Sequence, residues 1–288
     1  MTDLSATPPS GPVARLPVFQ TVADAYRFTL QRIGQVLTAA IVPFGISMSL
    51  VVLNVGTGGT LSHFTMLLDL FAYAVFAVAW HRALLVGEAP SLIPRLGYRQ
   101  LRFWLMSLLI PLILVGLVAV PAVVLGYLAG GEASAVGLFL LPLVLCGLYV
   151  AARFSFVFPA SAVDERFGLG ASWRTTAGNA WRLIGAYLLA SLPMLLAVVV
   201  LLALSGPMLG FGGLLGGTGE AVGPATGGAL GILAIVAFSV VNYIFAAVFV
   251  SLLSLSFRTC TGWVPHSGHL PPGGSAPRDD GSGDARYH

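Results

Sequence analysis

Residues 152–193, ARFSFVFPASAVDERFGLGASWRTTAGNAWRLIGAYLLASLP, are the stretch that decides how this chain is folded. The stretch carries 4 of the 14 basic residues, yet it lies between two long apolar segments. Short loops that stay in the cytoplasm of a bacterium hold an excess of arginine and lysine. We therefore predict that this stretch, which we call the elbow, joins two membrane-spanning helices on the cytoplasmic side.

The composition of the whole chain supports the same class. Of the 288 residues, 57% are hydrophobic and only 9% are charged, which leaves too few polar side chains to cover a soluble protein. All 14 basic residues are arginine, which we attribute to a bacterial genome of high GC content. The net charge of +3 is too small and too scattered for a nucleic-acid partner. The expected partner is the lipid bilayer, including its anionic headgroups, and the sequence leaves protein partners unknown.

The long apolar runs predict an all-α polytopic membrane protein with six transmembrane helices. A helix needs about 20 residues to cross the hydrocarbon core. Runs of that length occur at about 36–56, 62–81, 103–129, 134–157, 180–206 and 228–257. The membrane domain is therefore placed at 17–257. The polar segments 1–16 and 258–288, rich in Pro with Ser or Gly, are predicted to be disordered.

The segment before the first span is amphipathic. Between residues 17 and 32, the apolar side chains Val18, Val22, Tyr26 and Leu30 recur every four positions. Such a segment is typical of a short helix that lies in the headgroup plane. We expect this helix to precede the first crossing of the membrane.

The arginines predict the orientation of the chain. They precede the first span, lie between the second and third, surround the elbow and continue in the tail, whereas the opposite loops contain none. Since the positively charged loops face the cytoplasm, both termini are predicted to be cytoplasmic. The expected location is the bacterial inner membrane.

One acidic residue lies within the predicted spans. An aspartate near the centre of a membrane helix costs about 2.5–3.5 kcal/mol, so Asp69 should face the bundle or a wet cavity and have a partner. Arg153 is the one arginine deep enough on another helix to pair with it, and His63 and Asn242 are alternative contacts. Two interpretations stay open: an ion or proton site formed with Arg153, and a structural polar contact.

The elbow contains a second candidate site. The pairs Trp173-Arg174 and Trp181-Arg182 recur eight residues apart. Tryptophan favours the headgroup boundary and arginine binds phosphate, so the pairs indicate membrane anchoring or a specific anionic-lipid or partner site. The residues proposed for that interfacial site are Glu165, Arg166, Trp173, Arg174, Trp181 and Arg182.

Local signals also divide the elbow into short pieces. We expect Pro159 to end the fourth span and Gly170 to interrupt a short helix. Asn179 is expected to cap the fifth span, since its side chain can accept a hydrogen bond from an unpaired amide.

No pattern in the sequence predicts catalysis, a cofactor or a metal site. The Gly-rich stretch 205–231 lacks the spacing and the lysine of a phosphate-binding loop. Asp164 and Glu165 are adjacent carboxylates without a neighbouring nucleophile, a pattern more typical of a solvated interface than of an acid/base pair. Cys146 and Cys260 form no CxxC pair. The chain is therefore predicted not to be an enzyme.

Three segments carry a family resemblance. ARFSFVFPASAVDE, GLGASWRTTAGNAWRLIGAYLL and the earlier AWHRALLVGE resemble the uncharacterised bacterial inner-membrane proteins of the YciC-like type. They are also similar to the membrane domain that some bacteria fuse to glycerophosphodiester phosphodiesterase. The recurrent motif of those families corresponds to Glu165, Trp173, Arg174, Gly178, Asn179, Trp181 and Arg182. The resemblance implies a multi-pass fold in a lipid or envelope setting and implies no hydrolysis.

Two functions remain open at this level. The first is a non-enzymatic membrane protein that supports the envelope through lipid or protein contacts at the elbow. The alternative is a small-solute or ion transporter or channel that uses Asp69 and Arg153. The scarcity of polar residues within the spans favours the first.

Overall fold

A computed structural model describes residues 15–128, 130, 133–209 and 229–265. The predictions for 1–14 and 266–288, and most of the Gly-rich stretch, lie outside these ranges. Within them the regular structure is helical, with no strand. The helices in chain order are α1 (Val18–Gln31), α2 (Ile33–Gly56), α3 (Ser62–Leu85), α4 (Tyr98–Leu128), α5 (Ala133–Phe154), α6 (Val157–Ala162), α7 (Leu169–Thr175), α8 (Ala180–Leu209) and α9 (Ala229–Thr261).

The described helices form six candidate spans that are long and apolar enough to cross a membrane: α2, α3, α4, α5 continued by α6, α8 and α9. The predicted all-α polytopic fold is therefore confirmed. Six crossings bring the two described chain ends to the same end of the bundle. There Leu16 packs in one cluster with Phe257 and Cys260. We call this the elbow end, because α6 and α7 lie there too.

Helix α3 lies at the centre of the bundle and packs against α2, α4 and α9. Its C-terminal half is almost completely buried. Small side chains make this possible: Ala74 and Ala77 on α3 face Ala246 and Ala247 on α9 in one core cluster. Without a hydrophobic driving force between helices in lipid, such small residues allow the close packing that holds spans together.

The fourth crossing is broken, and the break differs from the prediction. We expected Pro159 to end the helix, but α5 ends at Phe154 and Pro159 lies inside α6. A proline disrupts the helix at the carbonyl four residues before it, because it has no N–H to donate and its ring clashes there. That carbonyl belongs to Ser155. It accepts a tighter bond from the Phe158 amide at 3.2 Å, and the chain turns.

Helix α1 forms as predicted but is not a free interfacial helix. It packs along α8 and α9, and its buried residues are Thr21, Val22, Ala25 and Thr29. Leu30, which we placed on the apolar face, is 57% exposed. A four-residue spacing drifts by about 40° at each step on a helix of 3.6 residues per turn. After three steps the side chain has left the face that begins at Val18.

The last span extends further than expected. Helix α9 continues through Arg258, where we placed the start of the tail, to Thr261. Beyond it, the Trp263 ring packs on Phe257 with 6.2 Å between centroids. The apolar face of this helix thus remains covered up to its last turn.

Candidate functional site

Asp69 ends a chain of hydrogen bonds between three helices. Oγ of Ser47 on α2 donates to Oδ1 of Asp69 at 2.5 Å and lies 3.1 Å from the hydroxyl of Tyr243 on α9. A serine hydroxyl has one proton. Because Ser47 gives that proton to the carboxylate, the Tyr243 hydroxyl is the donor in the second bond. Ser47 therefore binds Asp69 directly, and Tyr243 is connected to Asp69 only through Ser47.

A cavity of about 390 Å³ adjoins this chain, and we call it the Asp69 cavity. Further polar side chains line it: Asn54, Ser62, Thr65, Ser239 and Asn242. The Oδ1 atom of Asn54 is buried, and no described part of the chain forms a hydrogen bond with it. Carboxylate, hydroxyl and amide oxygens are the ligands that hard cations prefer. The arrangement suits a small cation or a positively charged solute.

The structure does not bring Arg153 to Asp69. The Asp69 cavity lies toward the turn between α2 and α3, whereas Arg153 ends α5 at the opposite end of the bundle. Of the two alternative contacts, Asn242 lines the Asp69 cavity and His63 does not. In place of the predicted pairing with Arg153, Asp69 accepts a hydrogen bond from Ser47, which in turn contacts Tyr243.

Arg153 belongs to the elbow instead. Its side chain is 7% exposed, and its guanidinium carbon lies 4.4 Å from the centroid of the Trp173 ring. The ring of Tyr149 covers another side at 5.7 Å. Its backbone carbonyl accepts bonds from the hydroxyls of Ser172 at 2.7 Å and Thr176 at 3.2 Å. Helix α7 therefore folds back onto the end of α5, and the rings of Trp173 and Tyr149 cover this arginine.

Gly170 does not interrupt a helix, contrary to our expectation. Helix α7 begins at Leu169 and includes Gly170 in its first turn. A glycine there has little effect, because the first amides of a helix have no partner within it. The interruption comes before the helix, where Gly168 is extended.

Three arginines hold the loop between α6 and α7. Arg82 donates to the carbonyl of Ala162 at 3.1 Å. Arg102 donates to the carbonyls of Glu165 at 3.1 Å and Phe167 at 3.3 Å. Arg99 pairs with the carboxylate of Asp164 at 2.5 Å. We interpreted these arginines as signals of orientation. In the structure, Arg82 and Arg102 also bind backbone carbonyls within the protein.

The adjacent carboxylates of the elbow, those of Asp164 and Glu165, both have bonding partners. Asp164 pairs with Arg99 and has a φ of 60°, in the left-handed region that few side chains adopt. The carboxylate of Glu165 accepts a hydrogen bond from Nε1 of Trp263 at 2.8 Å. Glu165, a residue of the predicted interfacial site, therefore ties the elbow to the segment after α9.

The elbow also binds the start of α1. Asn179 immediately precedes α8, where we predicted a cap, and its Oδ1 accepts from the amide of Leu16, outside that helix, at 3.0 Å. Arg182 donates from Nη1 to the carbonyl of Leu16 at 3.1 Å. Leu16 is fully buried, so both of its backbone polar groups need partners. Asn179 and Arg182 supply them.

The other residues of the predicted interfacial site remain at the surface. Arg166 and Arg174 are exposed, and no ion pair involves either of them within the described ranges. Trp181 is 61% exposed, and its ring lies 5.5 Å from that of Tyr149. Trp173 has one face on Arg153 and is partly exposed. The surface formed by Arg166, Arg174, Trp173 and Trp181 is called the elbow surface below.

Sequence reasoning missed a buried polar cluster between α3 and α9. Nε1 of Trp80 donates to the carbonyl of Ala247 at 3.0 Å and contacts Oγ of Ser251 at 2.9 Å. Nδ1 of His81 lies 2.6 Å from Oγ of Ser254. The signal was present in the sequence. A Trp-His pair in one span and repeated serines in another suggest hydrogen bonds between spans, but one sequence does not indicate which spans are adjacent.

No protein-family model, no curated protein and no solved structure matches this chain. The fold and the contacts described above therefore define only a class, a multi-pass α-helical membrane protein.

Proposed function

We propose that this chain is a non-enzymatic integral protein of the bacterial inner membrane, of the YciC-like type, whose elbow surface binds anionic lipid headgroups on the cytoplasmic side. The observation that carries the proposal is the pair Arg166 and Arg174, which stay exposed while neighbouring arginines are used inside the protein. Arginine forms two parallel bonds with phosphate. Exposed tryptophan beside it favours the headgroup boundary.

The different contacts of the arginines support the elbow surface as the lipid-binding site. Arg82, Arg102 and Arg182 all donate to backbone carbonyls of the protein. Their guanidinium groups are therefore not fully available to a lipid phosphate. Arg166 and Arg174 have no such bond in the described part of the chain, and both residues are exposed.

The lipid proposal is tested by native mass spectrometry of the full chain with phosphatidylglycerol. The double variant Arg166→Ala/Arg174→Ala should weaken binding about tenfold or more, because each arginine near a membrane surface contributes about 1 kcal/mol. The control Arg27→Ala/Arg95→Ala makes the same charge change outside the elbow, at two other exposed arginines. Equal losses in both double variants would contradict an elbow site.

The cytoplasmic placement of the elbow is tested by cysteine labelling. In a Cys146→Ser/Cys260→Ala background, one cysteine is placed at Thr60, in the turn between α2 and α3, or at Ala89, after α3. Both positions are exposed and lie at opposite ends of the bundle. A membrane-impermeant maleimide added to intact spheroplasts should label T60C and spare A89C. The reverse pattern would place the elbow outside.

A second candidate function, transport of a small cation, rests on the Asp69 cavity. Asp69 is exposed at this cavity, which hydroxyl and amide side chains also line. In liposomes that contain the purified chain, Asp69→Asn should abolish cation flux. Ser49→Ala should not, because Ser49 is exposed on the same α2 helix and donates to Gly45. Cation flux that survives Asp69→Asn would contradict transport through the Asp69 cavity. Lipid binding at the elbow surface would then remain as the proposed function.

A further inference from the structure

A second cavity lies between α3, α4, α5, α8 and α9. Its volume is about 420 Å³, within the range of about 300–1,000 Å³ that small-molecule sites occupy. Most of its walls are apolar, and no described residue that lines it carries a full charge. It shares Tyr73 with the Asp69 cavity but contains neither Asp69 nor a residue of the elbow surface. We call it the His81 cavity.

His81 lines this cavity and has one polar side-chain atom that is not used in a hydrogen bond to the described part of the chain. The residue lines the cavity and is fully buried, and its Nε2 has no hydrogen-bond partner among the residues that the structure describes. A buried nitrogen without a partner is costly. Apolar walls without a counterion also disfavour a charged imidazole, so the ring is neutral.

The neighbouring serine determines which nitrogen holds the proton. The hydroxyl of Ser254 donates to the carbonyl of Val250 at 2.8 Å. Its single proton is therefore used, and Oγ is the acceptor in the 2.6 Å contact with Nδ1 of His81. Nδ1 carries the hydrogen, and Nε2 carries a lone pair. The free atom at the cavity is thus an acceptor, and its missing partner is a donor.

Two tyrosine hydroxyls are further polar groups of the residues that line the His81 cavity. Tyr73 and Tyr187 line the same cavity, and neither hydroxyl makes a hydrogen bond with any part of the chain that the structure describes. A phenol both donates and accepts. A ligand hydroxyl that donates to His81 can therefore also accept a bond within the same cavity.

The wall between α5 and α8 connects the cavity to the bilayer. Leu148 and Leu188 line the cavity, and their side chains are 44% and 60% exposed. An apolar molecule in the membrane can approach through this wall without crossing water. A phosphate group would find no cation among the described lining residues, which disfavours a phospholipid headgroup inside.

We propose that the His81 cavity binds a neutral, hydroxyl-bearing lipid or long-chain alcohol, whose O–H donates to Nε2 of His81 while its hydrocarbon part fills the apolar walls. The hydroxyl is the part that determines selectivity. A molecule of the same shape that accepts but cannot donate leaves Nε2 without a partner, and the buried nitrogen then opposes binding.

The test uses a photoreactive analogue of decan-1-ol with the purified full chain in detergent. Irradiation should attach the analogue to residues of the His81 cavity, such as Leu148 or Leu253, as mapped by mass spectrometry. Decan-1-ol should compete at least about tenfold better than decyl methyl ether, since one hydrogen bond contributes about 1.4 kcal/mol. Equal competition, or labels spread over the outer surface, would overturn the proposal.

Two variants separate the hydrogen bond from the cavity itself. His81→Phe removes the acceptor and should make the alcohol and the ether compete equally. Leu188→Trp fills the exposed wall from outside and should reduce labelling by both, even if His81→Phe fails to fold. Selectivity for the alcohol that persists in His81→Phe, or unchanged labelling in Leu188→Trp, would refute the site.

Discussion

The side-chain oxygen of Asn179 accepts a hydrogen bond from the backbone amide of Leu16 at 3.0 Å, across 163 positions of the sequence. Arg182 completes the connection by donating to the carbonyl of the same residue. The elbow therefore fixes the point at which α1 begins. Two of the residues that the family resemblance singles out thus have a structural role inside this protein.

Asn179→Ala is the direct test of that connection. The variant leaves the buried amide of Leu16 without this acceptor and should lower the free energy of unfolding by about 1–3 kcal/mol. Asn179→Asp keeps an oxygen at the position and should lose less. Unfolding by sodium dodecyl sulfate in detergent micelles measures both. Equal stability of Asn179→Ala and the wild type would show that the contact contributes nothing.

Trp173 and Trp181 should differ although both belong to the elbow surface. Trp173 covers the buried guanidinium of Arg153, so Trp173→Leu should lower the free energy of unfolding by about 2 kcal/mol. Trp181 is mostly exposed, and Trp181→Leu should cost less than half as much. The same micelle titration compares the two variants. A larger effect at Trp181 would mean that Arg153 does not depend on its aromatic cover.

Ser47 and Asp69 should be energetically coupled. In a double-mutant cycle of Ser47→Ala and Asp69→Ala, the interaction energy should be about 1–3 kcal/mol, because a hydroxyl donates to a carboxylate. The cycle of Ser49→Ala with Asp69→Ala is the matched control and should be additive, since the Ser49 hydroxyl is bonded to Gly45. Additivity in both cycles would show that the hydrogen bond between Ser47 and Asp69 contributes nothing to stability.

The fold class could be predicted from the sequence because the bilayer imposes it. A spanning segment must satisfy its own backbone, so long apolar runs become helices. The break in the fourth crossing was harder to locate. The sequence contains Pro159, but the helix is interrupted at Ser155, the residue whose carbonyl the proline cannot pair.

The partners of the charged residues could not be predicted in the same way. The cost of burying Asp69 indicates that it needs a partner, yet Ser47 and Tyr243 are of types that also occur elsewhere in the spans. Arg153 was paired with Asp69 by its depth along the chain. The Trp173 ring covers the Arg153 guanidinium instead. The two residues meet because α7 folds back over the end of α5.

Arg99 and Arg102 should contribute unequally to the elbow. Arg99 pairs with Asp164 at the surface, where both side chains are partly exposed, so Arg99→Ala should cost about 0–1 kcal/mol. Arg102 donates to two carbonyls, and Arg102→Ala should cost about 1.5–3 kcal/mol. Hydrogen exchange of the loop between α6 and α7 measures the difference. Faster exchange in Arg99→Ala than in Arg102→Ala would contradict this ranking.

Tyr26 connects α1 to α8 and makes stability depend on alkaline pH. Its hydroxyl donates to the carbonyl of Ala190 at 2.6 Å, and burial raises the pKa of the phenol above its usual value of 10.0. The folded state therefore favours the protonated form. Its contribution is complete below about pH 10 and is lost as the pH rises through the raised pKa.

Tyr26→Phe isolates this contribution from that of the other tyrosines. At about pH 8 the variant should be less stable than the wild type by about 0.5–1.5 kcal/mol, the net value of one hydrogen bond. Since only the wild type can ionise at this position, the difference should shrink as the pH is raised to about 11. Detergent-micelle unfolding at a series of pH values measures it. A difference that grows with pH would mean that the hydroxyl of Tyr26 is not a donor in the folded protein.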